Sequence, residues 1–194
     1  MLRLRSAVVL ALLTICSALL FGQAASAVKA IDVERSTMTV RVFKSGLFSF
    51  AGDDHEIQAP ITAGSVDEEK RSVEIAVDAK KLKVLDPKLS EGKRTQVQQK
   101  MLSADVLDPD RYPEIRFQST GVQPKGYEGL VVNGNLTLHG QTRPVVVNVT
   151  GKSPHYRGKA TVKQTDFGMK PVTVGGGTVK VKDEVEIEFD IVVQ

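Results

Sequence analysis

The densest cluster of chemically capable side chains in the sequence is Asp53-Asp54-His55-Glu56. Carboxylates beside an imidazole can hold a divalent cation or exchange protons, so these four residues are the first candidates for a metal- or carboxylate-dependent enzyme. No second histidine lies within ligand spacing, and adjacent residues of an extended segment point to opposite faces. A polar turn with one hydrogen-bonding histidine explains the cluster more simply. His139 and His155 have no partner by spacing either. Nucleophilic chemistry has less to draw on: the single cysteine is Cys16, and no Gly-x-Ser-x-Gly turn occurs. Gly175-Gly176-Gly177 lacks the Lys-Ser or helix start of a phosphate loop and reads as a flexible connection.

The elements that would position any site are strands. Residues 130–149 organise them: Leu130, Val132, Gly134, Leu136 and Leu138 share one face, and Val131, Asn133, Asn135, Thr137 and His139 share the other. Strict period two marks a half-buried strand. Gly140-Gln141-Thr142-Arg143 supplies the turn, and because proline suits only a strand's start or an edge, the return strand is expected from Val145. Further alternation covers residues 37–43, then Ile57, Ala59, Ile61 and Ala63, then Val73, Ile75, Val77 and Ala79 after the polar turn 67–70. Ile115, Phe117 and Ser119, residues 156–163 and residues 182–193 continue the pattern.

One segment departs from it. After Asp86-Pro87, Ser90 can cap a helix over residues 92–102, with Val97 and Met101 on its apolar side. Lys93, Arg94, Gln96, Gln98 and Lys100 are expected to form a solvated face. Eight strands and one helix, joined by short loops, predict an all-β, mainly antiparallel protein, an eight-stranded up-and-down barrel with one α-helix near one opening. Without Trp and with 5% aromatic residues, the interior would be aliphatic.

Residues 1–27 are of another kind. Arg3 and Arg5 precede an apolar run over residues 7–21, and Ala25-Ser26-Ala27 closes it. These are the parts of a secretory signal peptide, expected to be cut near Ala27, leaving residues 28–194 as one domain and no stable membrane span. Cys16 leaves with the leader, so stability must come from core burial rather than disulfides. With Arg3 and Arg5 gone from 26 basic residues against 23 acidic ones, the remainder is close to neutral and shows no nucleic-acid footprint.

Tyr112-Pro113-Glu114-Ile115-Arg116-Phe117, followed by Val132-Asn133-Gly134-Asn135-Leu136-Thr137-Leu138-His139-Gly140, then Pro144-Val145, Asp166-Phe167-Gly168 and Asp183-Glu184-Val185-Glu186-Ile187, resembles the YceI-like family of periplasmic polyisoprenoid-binding proteins. The resemblance implies a lipocalin-like barrel with a helix across one opening, a periplasmic or secreted location, and a long apolar pocket for an isoprenoid lipid or a quinone tail. It implies a binding protein rather than an enzyme, with bound lipid as ligand and no cofactor or metal. The residues then expected at the lipid are Val40, Val42, Ile57, Ile61, Ile75, Val77, Ile115, Phe117, Leu136, Leu138, Ile187 and Phe189, with Phe48, Phe50, Met101 and Phe167 at the mouth. Ordinary core packing is the alternative for each, as in a filled barrel that serves as an interaction module. The chain leaves monomer and homodimer both open.

Overall fold

The computed structural model describes residues 28–45, 54–174 and 179–194. The leader, residues 46–53 with Phe48, Phe50 and Asp53, and Gly175, Gly176 and Gly177 lie outside the described residues. The chain begins with β1 (Val28–Ala30), β2 (Thr37–Ser45), β3 (His55–Gln58), β4 (Ile61–Asp67), β5 (Ser72–Asp78) and β6 (Lys83–Val84). Helix α1 (Glu91–Met101) separates these from β7 (Glu114–Lys125), β8 (Gly129–Leu138), β9 (Gln141–Lys152), β10 (His155–Lys163), β11 (Thr173–Val174) and β12 (Val179–Val192).

Among the described residues, all twelve strands belong to one antiparallel sheet in the order β1-β4-β5-β7-β8-β9-β10-β12-β2-β3-β6, with β11 against β12. The sheet curls on itself. Besides its pairing with β4, the first strand leads into Ile31, which bridges Val193, and the Asp32 amide donates to the Val192 carbonyl at 2.8 Å. Ile31, Ile57, Ile75, Val77, Leu136, Val162, Val185 and Ile191 meet in one buried cluster, as closure around a single interior requires.

The all-β barrel class therefore holds, while the strand count rises from the eight expected. β1, β6 and β11 have two or three residues, too few for alternation to show. The run through Ile57, Ala59, Ile61 and Ala63 is two strands, β3 and β4, because Pro60 cannot donate to a ladder. A bulge between Ile61 and Ala63 then shifts the register, so Ala63 is exposed and Val66 turns inward.

The central hairpin also differs at its turn. His139 and Gly140 carry φ of 50° and 71°, a tight two-residue reversal, and β9 starts at Gln141. Pro144 sits inside that strand opposite Asn135. It is tolerated because β10 pairs with β9 only over Asn148 to Lys152, leaving β9 an edge at the proline.

Residues 79–113 leave β5 and return to β7, which pair directly. The Ala79 amide donates to the Pro113 carbonyl at 2.8 Å, closing the neck of this excursion. Within it β6 pairs with β3, and Leu82, Val84, Met101, Val106 and Leu107 are buried in the barrel core. Gln98, expected in solvent, instead fastens α1 to β6: its Oε1 accepts from the Val84 amide and its Nε2 donates to the Leu82 carbonyl, both at 2.8 Å. Ser90 occupies the N-cap position without a side-chain cap bond. Strand directions place this excursion, the β8–β9 turn and the end of β10 at one end of the barrel, and the β4–β5, β7–β8 and β9–β10 turns at the other.

Candidate functional site

The barrel interior is not filled. A cavity of about 470 Å³ runs inside it, within the size range of small-molecule pockets, roughly 300–1,000 Å³. Tyr156 at the turn end and Gln164 at the helix end both line it, a span of about 26 Å along the strand at about 3.3 Å per residue. Two glycines help to keep it open. A Cβ at Gly134 would lie 2.4 Å from the Phe117 ring, and one at Gly158 would lie 2.4 Å from the Phe189 ring. Both rings lie against the wall where a side chain is missing, and both line the cavity.

Of the residues expected at the lipid, Val40, Val42, Ile57, Ile75, Val77, Ile115, Phe117, Leu136, Leu138, Ile187 and Phe189 line this space, and so does Met101. Met101 is not at a rim, however; it is buried, and it belongs to the helix excursion with Leu107. Ile61 is core packing outside the lining. Phe167, expected at the mouth, is 1% exposed and does not line the cavity. His139 Nδ1 lies 3.1 Å from its carbonyl oxygen, and the His139 ring packs on Tyr112. Phe48 and Phe50 lie outside the described residues.

Sequence reasoning missed much of the wall: Met38, Val66, Val73, Val122, Val132, Val147, Val149 and Val162 also line it. Alternation already put Met38, Val73 and Val132 on apolar faces. Val122 escaped because a bulge between Ser119 and Gly121 reverses the parity of β7.

Also missed was the polar lip. The charged lining residues Asp67, Glu68 and Arg71 come from the β4–β5 turn, where Ser72 lines the cavity as well. Glu68 is held by two strands: Lys29 Nζ of β1 lies 3.0 Å from Oε2, and the Tyr156 hydroxyl of β10 donates to Oε1 at 2.9 Å, while Lys29 also donates to Ser153 Oγ. Lys29 first and Tyr156 second hold the Glu68 carboxyl below the usual range. Burial, and then Glu68, push the Tyr156 phenol up to about 12. At the helix end the lining polar group is Gln164, whose Nε2 donates to the Lys182 carbonyl at 2.8 Å.

The carboxylate cluster does not converge. Asp54 accepts from the Lys44 amide, Glu56 pairs with Arg41, and His55 Nδ1 lies 2.6 Å from Asp86 Oδ2. Asp53 lies outside the described residues. Among the described residues no three His, Cys, Asp or Glu side chains are grouped as for a metal ion.

The YceI-like domain model matches residues 30–193. The chain belongs to the YceI-like family. It is 37% identical over 98 residues to a UPF0312 protein of Pseudomonas savastanoi pv. phaseolicola, covering 45% of this chain and 49% of that one. A UPF0312 protein of Vibrio cholerae is 35% identical over 96 residues, covering 44% and 49%. The matched region thus spans about half the length of these curated relatives. Among solved structures, Burkholderia cenocepacia BcnA superposes with a TM-score of 0.60 at 20% identity, over 84% of this chain and 99% of that one. A mutant Campylobacter jejuni YceI protein superposes with a TM-score of 0.52 at 13% identity, over 71% and 81%. These likenesses show the shared barrel fold.

Proposed function

We propose that this YceI-like protein is an exported, non-enzymatic carrier that holds one long isoprenoid tail, polyprenyl or quinone-type, in the barrel cavity for transport, storage or stress protection. The observation that carries this reading is a deep aliphatic space inside a barrel whose strands are otherwise well paired. Each buried CH₂ contributes about 0.8 kcal/mol, so about fifteen carbons contribute roughly 12 kcal/mol gross, against about 4–15 kcal/mol lost on association. Only a long tail gives useful affinity. The branched, aliphatic lining and the family support an isoprenoid, and residues 1–27 support export to the periplasm.

The test is organic extraction of natively purified protein followed by mass spectrometry, with titration of added geranylgeraniol. A near-stoichiometric isoprenoid, or saturable uptake that Ala160→Phe abolishes by filling the cavity, is the expected result. A clean extract together with no uptake overturns the carrier reading and leaves an interaction module.

A further inference from the structure

We infer that Arg71 receives the ligand's head group, and that the amphiphile this cavity selects is anionic, ending in phosphate or carboxylate oxygens. The inference rests on the carrier reading above and adds the chemistry of the head.

Three independent features single out Arg71. It lines a largely apolar cavity at the turn end, where the other charged lining residues are already engaged. Glu68 is neutralised by Lys29 and hydrogen-bonded by Tyr156, and Asp67 accepts from the Lys70 amide and pairs with its ammonium at 3.5 Å. Glu69 is exposed and does not line the cavity. Among the described residues the Arg71 guanidinium makes no ion pair or hydrogen bond. Its donors are therefore available at the lip of an apolar space.

The backbone at this position is the third feature. Arg71 has φ of 52°, a left-handed conformation that glycine adopts without cost and an L side chain does not. A turn residue chosen for the turn alone would be Gly or Asn. Strain retained at a ligand-facing position points to a role for the side chain itself. A planar guanidinium offers paired donors to the oxygens of a phosphate or carboxylate. At the opposite end the polar lining residue among the described residues is the uncharged Gln164, whose Nε2 donates to the Lys182 carbonyl.

Three ligands with one tail test this: geranylgeranyl phosphate, geranylgeranoic acid and geranylgeraniol, titrated into the purified protein at low salt. The anions are expected to bind about tenfold more tightly than the alcohol, with the gap narrowing as salt rises. Whichever anion leads identifies phosphate or carboxylate as the head. Arg71→Gln and Arg71→Gly should close the gap between the anions and the alcohol; Arg71→Lys should keep part of it. Arg71→Gly suits the local backbone and guards against misfolding. Equal binding of all three ligands to the native protein, or a preference that survives Arg71→Gly, overturns this inference while sparing the carrier. Failure of all three to bind overturns both.

Discussion

The Tyr156 hydroxyl donates to Glu68 Oε1 at 2.9 Å and ties β10 to the β4–β5 turn at the rim of the cavity. The bond joins residues 88 positions apart, and it places a phenol and a carboxylate at the charged lip of a largely apolar lining. Lys29 completes the group from the strand that closes the barrel. The rim is thereby assembled from β1, the β4–β5 turn and β10.

Tyr156 should ionise only near pH 12, against about 10 for an ordinary tyrosine. Burial is the larger cause, so Glu68→Gln should bring the value only partway back. The folded chain keeps a proton that the unfolded chain loses first. The corresponding stability is fully present below about pH 10 and is lost as pH rises towards 12. Urea unfolding across an alkaline pH series, with Tyr156→Phe as reference, reads this directly; identical pH curves for the two proteins would contradict it.

Gly134→Ala should destabilise the barrel by about 1–3 kcal/mol. The new Cβ would stand 2.4 Å from the Phe117 ring and 2.7 Å from the Gln118 carbonyl oxygen, and the backbone atom cannot move aside. Gly121→Ala is the control, since nothing lies within 4 Å of its Cβ. Denaturant midpoints for the pair should separate clearly.

Phe167→Ala and Leu136→Ala should part in the opposite sense for stability and binding. Phe167 is packed outside the cavity, and its loss leaves a new void costing about 3–5 kcal/mol. Leu136 already borders open space, so its truncation should cost nearer the lower bound, about 2 kcal/mol. Calorimetric titration of geranylgeraniol should show weaker binding for Leu136→Ala alone, at temperatures where both remain folded.

Gln98→Leu removes both bonds between α1 and β6 and leaves the Val84 amide and Leu82 carbonyl without those partners. The expected cost is about 1–3 kcal/mol, concentrated in the excursion. Faster hydrogen exchange at Val84, with exchange across β8 and β9 unchanged, is the signature to look for.

The strands and the inward residues were legible in the sequence because side-chain direction along a strand depends on local parity alone. Leu130, Val132, Leu136, Ile187 and Phe189 could be placed without knowing any neighbour, and so could the helix with Met101. The aliphatic character of the interior followed from the same count. The tertiary structure alone decided the rest. Two bulges, after Ile61 and after Ser119, reversed parity and turned Val66 and Val122 inward, and a bulge is set by pairing with the partner strand rather than by its own residues. Whether inward residues would meet and fill the space or stand apart around it depended on closure, which β1 completes against residues far along the chain. The lip followed the same logic: Lys29, Glu68, Arg71 and Tyr156 belong to segments that only the curl of the sheet brings together, and no local pattern in the chain encodes that meeting.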